Sequence, residues 1–415
     1  MRKVFAVVVG VGLLLTGIAS IGTAGASSRT ASGTTPGVTA KEIALGIPYV
    51  DLSAIRSTIN IGDIGDFPKM YDAIIADLNA NGGINGRKVV PTYAPIDPRG
   101  TAPAQEACVK LTEDTKVFAV TGFFLGDATQ CYVDQHATPV VGGSQTAERL
   151  AAAKAPWYSV EAGDEVAAQA IGAFVKEGAF KKGKVGVVVG VDAQGQYDTI
   201  IGPALAKNKV DATVGTITAN QGDAVAAEQQ SGVIAERFKS EGVKTVLVLG
   251  QSFLQFANAL GKTDYRPRLL SPSETYFRSF VVNDGSNLDV VKDAIAANVA
   301  IDFNDPGLQK CFKVITKATG YTMQESVPTG ADDFRQGAQI ACRAIGLFTP
   351  LAEAAGKKLT VASFGKAADK AGSFEVPGSG TVTWDPKEKR FLLPVYVYRY
   401  DPATKSVVRD AQPVA

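Results

Sequence analysis

Carboxylates, carboxamides, hydroxyls and aromatic rings recur in this chain at one kind of place, just after a short apolar run. Phe123-Phe124-Leu125-Gly126-Asp127-Ala128-Thr129 follows one run, and Gly143-Ser144-Gln145-Thr146 follows the next. Further on come Asp192-Ala193-Gln194-Gly195-Gln196-Tyr197, then Gln251-Ser252-Phe253, then Ser273-Glu274-Thr275-Tyr276. These groups suit non-covalent recognition of a small polar molecule. Glu274 can accept a charge-assisted hydrogen bond from an ammonium. Phe123, Phe124, Tyr197 and Tyr276 offer ring faces, while Ser144, Gln145, Thr146, Gln196, Gln251 and Ser252 offer donors and acceptors. Asp127 opens a segment that reads as a helix, where free N–H groups attract anions. An aspartate there repels a ligand carboxylate, and together with Glu274 it favours a cationic or polyol ligand over a zwitterion.

Each residue also has a plainer reading. Asp127 is a good helix N-cap, Ser144 and Thr146 can cap the helix beginning at Ala147, Tyr197 can be half-buried packing, and Glu274 can be a solvated loop carboxylate. Catalysis has less support. The single histidine, His136, has no nucleophile motif beside it. The Gly186–Gly195 stretch lacks dinucleotide spacing. The cysteines form no C-x-x-C, and no metal-ligand cluster is visible. No cofactor is implied. Asp332 reads as a cap on the helix running to Ala344.

The elements that must position these loops alternate. Apolar runs at Ile43–Pro48, Lys88–Ala94, Val117–Gly122 and Pro139–Gly142 read as strands, separated by helical patterns such as Phe67, Tyr71, Ile74, Ile75 and Leu78. Pro156-Trp157-Tyr158 reads as a first crossing to a second set, with strands at Val185–Val189, Thr213–Ile217, Val246–Leu249 and Arg268–Ser271. Helices are expected at Pro328–Leu347, Leu351–Gly356 and Thr360–Ala371, and Thr381–Trp384 with Leu392–Tyr400 as a hairpin-type ending. Strand–helix alternation predicts parallel sheets with helices on both faces, and in such sheets ligands sit beyond the carboxyl ends of strands.

The 415 residues carry 42 Lys+Arg against 41 Asp+Glu, so no basic field recommends nucleic acid as a partner. Apolar residues make up 46%, enough for sizeable cores. Met1-Arg2-Lys3, the apolar run Val4–Leu15 and Ala24-Gly25-Ala26 are the three parts of a secretory signal peptide cleaved near Ala26; an uncleaved anchor is the alternative. No cysteine precedes Cys108, so no lipobox is present. In an exported chain, Cys108, Cys131, Cys311 and Cys342 suggest two disulfides. Three connectivities exist, and successive helices on one sheet face favour Cys108–Cys131 with Cys311–Cys342.

Asn81-Gly82-Gly83-Ile84-Asn85-Gly86-Arg87-Lys88-Val89 is a helix stop feeding a strand. It resembles the "NGGINGRKV" turn of amino-acid-type (branched-chain amino acid, LIV-like) ABC transporter substrate-binding proteins. Trp384-Asp385-Pro386 resembles that family's "W-D-x-x-G" turn, with Lys387-Glu388-Lys389 in place of the glycine. The resemblance spans Val38 to about Tyr400. It implies an α/β fold of two doubly wound parallel-sheet lobes joined by a multi-strand hinge, the type I periplasmic-binding-protein-like class. The organisation expected is residues 1–26 signal peptide, 27–37 disordered leader, 38–159 with 303–378 as lobe 1, and 160–302 with 379–415 as lobe 2.

In amino-acid binders of that family the turn matching Phe123–Thr129 carries small hydroxyl residues, and the segment matching Gly143–Thr146 gives hydroxyl and backbone groups to the ligand. Asp192–Tyr197 is similar to the "D-x-x-Y-G" segment whose tyrosine stacks on the ligand, with Gln196 and Tyr197 in altered order. Glu274 matches the position that pairs with a ligand ammonium. The resemblance implies a monomeric extracytoplasmic protein that closes over a small-molecule solute and docks on an ABC permease. A ligand-sensing receptor module of the same fold, and an extracellular hydrolase, are the alternatives.

Overall fold

The computed structural model describes residues 35–415 except 55, 57–61, 100–101, 125–127, 162, 182, 220–222, 284, 300, 325–330 and 415. The signal-peptide segment, most of the expected leader and Asp127 lie outside the described residues.

Five strands build the first sheet: β1 (Glu42–Val50), β2 (Lys88–Ile96), β3 (Ala119–Thr121), β4 (Val140–Val141) and β5 (Trp157–Tyr158). All pair in parallel, in the order β2-β1-β3-β4-β5. The second sheet opens with β6 (Lys184–Gly190), β7 (Ala212–Ile217), β8 (Val243–Val248), β9 (Arg268–Ser271) and β10 (Ile295–Val299). These are also parallel and run β7-β6-β8-β9-β10. The two halves therefore repeat one topology without an obvious sequence repeat. In each, the chain reverses its direction of growth beside the first strand, between β1 and β3 and between β6 and β8, and a crevice opens at such a switch point.

The end of the chain departs from the single hairpin expected. β11 (Ser373–Val376), β12 (Gly380–Asp385) and β13 (Arg390–Leu392) form their own antiparallel sheet. β14 (Val395–Asp401) then pairs antiparallel with β10, and β15 (Ser406–Arg409) pairs with β14. β12, expected with the second lobe, packs on the first: the Trp384 and Tyr158 rings are 5.2 Å apart. Only from Leu393 does the chain pass to the second sheet. Lys389 takes the left-handed conformation (φ 54°) in the turn where the family pattern has glycine.

Burial follows strand environment. Val187, Val188 and Val189 are fully buried, as a continuous apolar run in a sheet covered on both faces requires. Helix Phe67–Ala80 buries Phe67, Met70, Tyr71, Ala73 and Ile75, with Asp66 capping it by accepting from the Lys69 amide. Helices Pro306–Thr319 and Phe334–Ala355 pack against it, so the chain returns to the first half after β10. The break expected before Leu351 is absent: Phe334–Ala355 is one helix with Pro350 inside it. Its cap is Asp333, which accepts from the Gln336 amide, while Asp332 accepts from the Asp63 amide. The adjacent aspartates have divided the roles, one capping the helix and one tying it to the long loop after β1.

The Asn81–Val89 turn is held from several sides. Gly83 sits at φ 63°, and a Cβ there would lie 2.0 Å from the Arg87 carbonyl oxygen, so only glycine fits. The Asn79 side chain exchanges two 2.8 Å hydrogen bonds with the Val89 main chain. Asn85 and Arg87 donate to the Glu353 and Lys357 carbonyls. Both local disulfides form, Cys108–Cys131 and Cys311–Cys342. Among the described residues no helix is long and apolar enough to cross a membrane.

Candidate functional site

The carboxyl ends of the strands carry most of the loops singled out in the sequence. In the first sheet, Phe123 donates its amide to the Pro48 carbonyl at 3.0 Å, across the β1/β3 switch point. Its ring continues a row: Tyr49 to Phe67 at 6.1 Å, and Phe67 to Phe123 at 5.8 Å. Phe124 is half-buried, and its ring meets Tyr132 edge-on at 6.0 Å. After β4, Ser144 is exposed. Gln145 is buried, its amide donating to the Trp157 carbonyl at 2.8 Å, so its side chain braces the loop from within. Thr146 caps the next helix by accepting from the Arg149 amide.

In the second sheet the corresponding switch point joins Asp192 and Gln251. The Gln251 amide donates to the Asp192 carboxylate at 3.2 Å. Burial, together with the Asp192 charge, raises the Tyr276 pKa, and the Gln251 side chain, donating to the phenol oxygen, opposes that rise. Gly190, Asp192, Gln251, Ser252 and Gln255 line a small pocket of about 20 Å³. Ser252 itself is buried. Glu274 begins helix Glu274–Val282 instead of lying in a solvated loop, and accepts from the Asn298 side chain at 2.9 Å. Gln196 ends a short helix, and Tyr197 is half-buried against the core. The structure thus brings Gln251 and Tyr276 together around Asp192, and leaves Gln145 and Thr146 engaged in holding their own loop.

Between the sheets runs the connector after β5. Glu161 stands on it, exposed to solvent. Desolvation raises its pKa; the Gly143 amide and the Arg343 guanidinium oppose that rise. Arg343, from helix Phe334–Ala355, donates from Nη2 to the Val160 carbonyl at 2.7 Å and to Ser379 Oγ at 3.2 Å. Ser379 lies in the β11–β12 turn, which also receives the second connector: Asp302 donates its amide to the Gly378 carbonyl at 2.7 Å, and Gly378 donates to Asp305. The second and third connectors flank one another, since Val299 pairs with Val395.

Sequence reasoning missed Glu161, Asn298 and Arg343, and named the Asp192 loop without giving Asp192 a role. The rule that selected the other loops, a polar residue just past an apolar run, also fits Glu161 after Trp157–Val160. Arg343 is mid-helix and gave no local signal.

Other features carry less. A pocket of about 430 Å³ lies at the starting end of β5, between Pro156, Trp157 and the Trp384–Arg390 turn, away from the carboxyl ends. Cys108, Cys131 and His136 lie close together, but both sulfurs are consumed in the disulfide and offer no thiolate.

Comparison with known proteins agrees with this architecture. No curated protein matches the sequence. A fatty acid ABC transporter substrate-binding protein from Thermomonospora curvata superposes with a TM-score of 0.63 at 15% identity, over 92% of this chain and 94% of its own. A putative branched-chain amino acid ABC transporter protein from Rhodospirillum rubrum gives 0.62 at 16% identity, over 89% and 100%. A solute-binding protein of an ABC transporter from Rhodopseudomonas palustris HaA2, in complex with p-hydroxybenzoic acid, gives 0.59 at 13%, over 90% and 96%. At these identities the likeness is one of fold. Residues 69–405 match the family described as periplasmic binding protein, and the chain belongs to that family.

Proposed function

We propose that this protein is the extracytoplasmic solute-binding component of an ABC importer. It captures one small molecule between the strand ends of its two sheets, closes about the three connectors and presents the closed form to a membrane permease. The observation that carries this reading is the repeated topology: two sheets with the same switch point, joined by three connectors, with recognition groups at both sets of strand ends. Contacts made by both walls at once stabilise a closed state over an open one. The fold neighbours are named for fatty acid, branched-chain amino acid and p-hydroxybenzoic acid, a spread that supports solute binding as the activity and leaves the solute to the cleft residues.

The further details belong to the same proposal. The Met1–Ala26 segment directs export and is removed, and the mature chain acts as a monomer. Ligand contacts come from Phe123, Phe124, Asp127 and Ser144 on one wall and from Gln196, Tyr197, Gln251, Glu274 and Tyr276 on the other. Native mass spectrometry of the protein purified from its own host tests the reading. One bound small molecule per chain, recovered unchanged after denaturation, is expected. A molecule converted on incubation, or a chain that never carries or takes up a solute, contradicts it.

A further inference from the structure

Gly142 follows β4 at φ 109°, and the position of the side chain it lacks has three neighbours, the farthest being the Gly122 carbonyl oxygen at 3.8 Å. A Cβ at that position would lie 3.4 Å from Glu161 Oε1 and 3.4 Å from Phe124 Cε2. A carboxylate oxygen and an aromatic ring therefore border the same spot. Glu161 takes the Gly143 amide as one partner. The Tyr71 hydroxyl, fully buried and without a hydrogen-bond partner among the described residues, interacts with the same carboxylate.

One opposite charge acts on Glu161, the Arg343 guanidinium, whose Nη2 hydrogen bonds go to the Val160 carbonyl and Ser379. The strand-end loops of the second sheet add the carboxylates of Asp192 and Glu274, and in the first sheet Asp51 and Asp66 act on Tyr49 in the ring row.

We propose that the cleft takes a small organic cation, its ammonium or methylated ammonium nitrogen seated between the Glu161 carboxylate and the Phe124 ring. This rests on the solute-binding reading and names the chemical class of the solute. A carboxylate accepts a charge-assisted hydrogen bond from an ammonium, roughly twice as strong as a neutral one. An aromatic ring attracts a cation through its quadrupole and does so more strongly out of water. A carboxylate-bearing ligand in the same place would set two anions side by side. The Tyr49–Phe67–Phe123 row gives an apolar wall for the body of such a ligand.

The test titrates the mature protein with phenethylammonium, tetramethylammonium and agmatine, and in parallel with leucine and p-hydroxybenzoate, by calorimetry and thermal shift. At least one cation is expected to bind. Glu161→Gln is expected to weaken it by about tenfold to a hundredfold, and Phe124→Leu by about threefold to tenfold. The melting temperatures of the unliganded variants report whether each is folded, and either variant alone decides the matter if the other is not. Equal cation affinity in wild type and variants overturns the proposal, as does failure of all three cations. If leucine or p-hydroxybenzoate binds and no cation does, the ligand class falls and the solute-binding function stands. If none of the five binds and the host protein also carries nothing, both fall.

Discussion

Arg343 donates to the carbonyl of Val160 at 2.7 Å and thereby fixes the residue preceding Glu161. Because the same Nη2 also reaches Ser379, one guanidinium ties the first connector to the turn that holds the second. Arg343→Met leaves the Val160 carbonyl unpaired and removes a charged donor, at a cost of about 2–3 kcal/mol. Urea denaturation should show a lower midpoint with an unchanged slope. A midpoint equal to that of wild type would remove Arg343 from the hinge.

Glu161 makes stability depend on pH in a definite direction. Desolvation raises its folded pKa above the ordinary 4.5, against the pull of the Gly143 amide and of Arg343; Tyr71 faces it from helix Phe67–Ala80. The folded state therefore binds this proton more tightly than the unfolded chain. Its contribution is fully present below pH 4.5 and is lost as pH rises through the raised folded value. Glu161→Gln lacks that loss, so the variant should gain stability relative to wild type between pH 4 and pH 7 (a range set by the ordinary carboxylate pKa of about 4.3). Denaturation midpoints at intervals across that range check it. A difference independent of pH would contradict the assignment.

Gly82 and Gly83 of the Asn81–Val89 turn should differ. At Gly83 a Cβ would collide with the Arg87 carbonyl oxygen, whereas at Gly82 nothing lies within 4 Å of it. Both have positive φ, 63° and 102°. Backbone strain at such positions costs about 1–3 kcal/mol, and Gly83→Ala adds a main-chain displacement. Thermal denaturation should therefore rank Gly83→Ala below Gly82→Ala; the reverse order would show that the turn relaxes around the new methyl group.

Much of this scaffold was legible because its signals are local. The Phe67–Val89 helix and turn, the apolar run Val185–Val189 and the cysteine-bearing helices each declare themselves within a few residues. The ending was not legible. β12 and β14 are both alternating segments, and only long-range partners, Tyr158 for one and β10 for the other, send them to different sheets. The helix Phe334–Ala355 runs on through Pro350 for a related reason, since tertiary packing overrides a local helix breaker. At the site, strand-end position located Gln251, Tyr276 and Glu274 but could not tell that Gln145 turns inward to Trp157. Glu161 acquires its character from desolvation, the Gly143 amide and Arg343, contributions that come from parts of the chain far from it in sequence.

Each disulfide closes a loop, with sequence separations of 23 and 31 residues. Constraint of the unfolded chain by loops of that size is worth about 3 kcal/mol each. Replacing Cys108 and Cys131 together by Ser, or Cys311 and Cys342 together, should lower stability by comparable amounts. Reducing agent should leave the melting temperature of the quadruple variant unchanged. A reductant-insensitive wild type would show that the bonds contribute nothing to folding.

The account turns on closure of two sheet-bearing halves over a solute. Small-angle X-ray scattering of the mature protein, before and after adding the solute recovered from its host, measures this directly. The radius of gyration should fall on binding, and Glu161→Gln should require more solute to reach the same value. An unchanged radius at saturating solute would contradict closure and with it the proposed function.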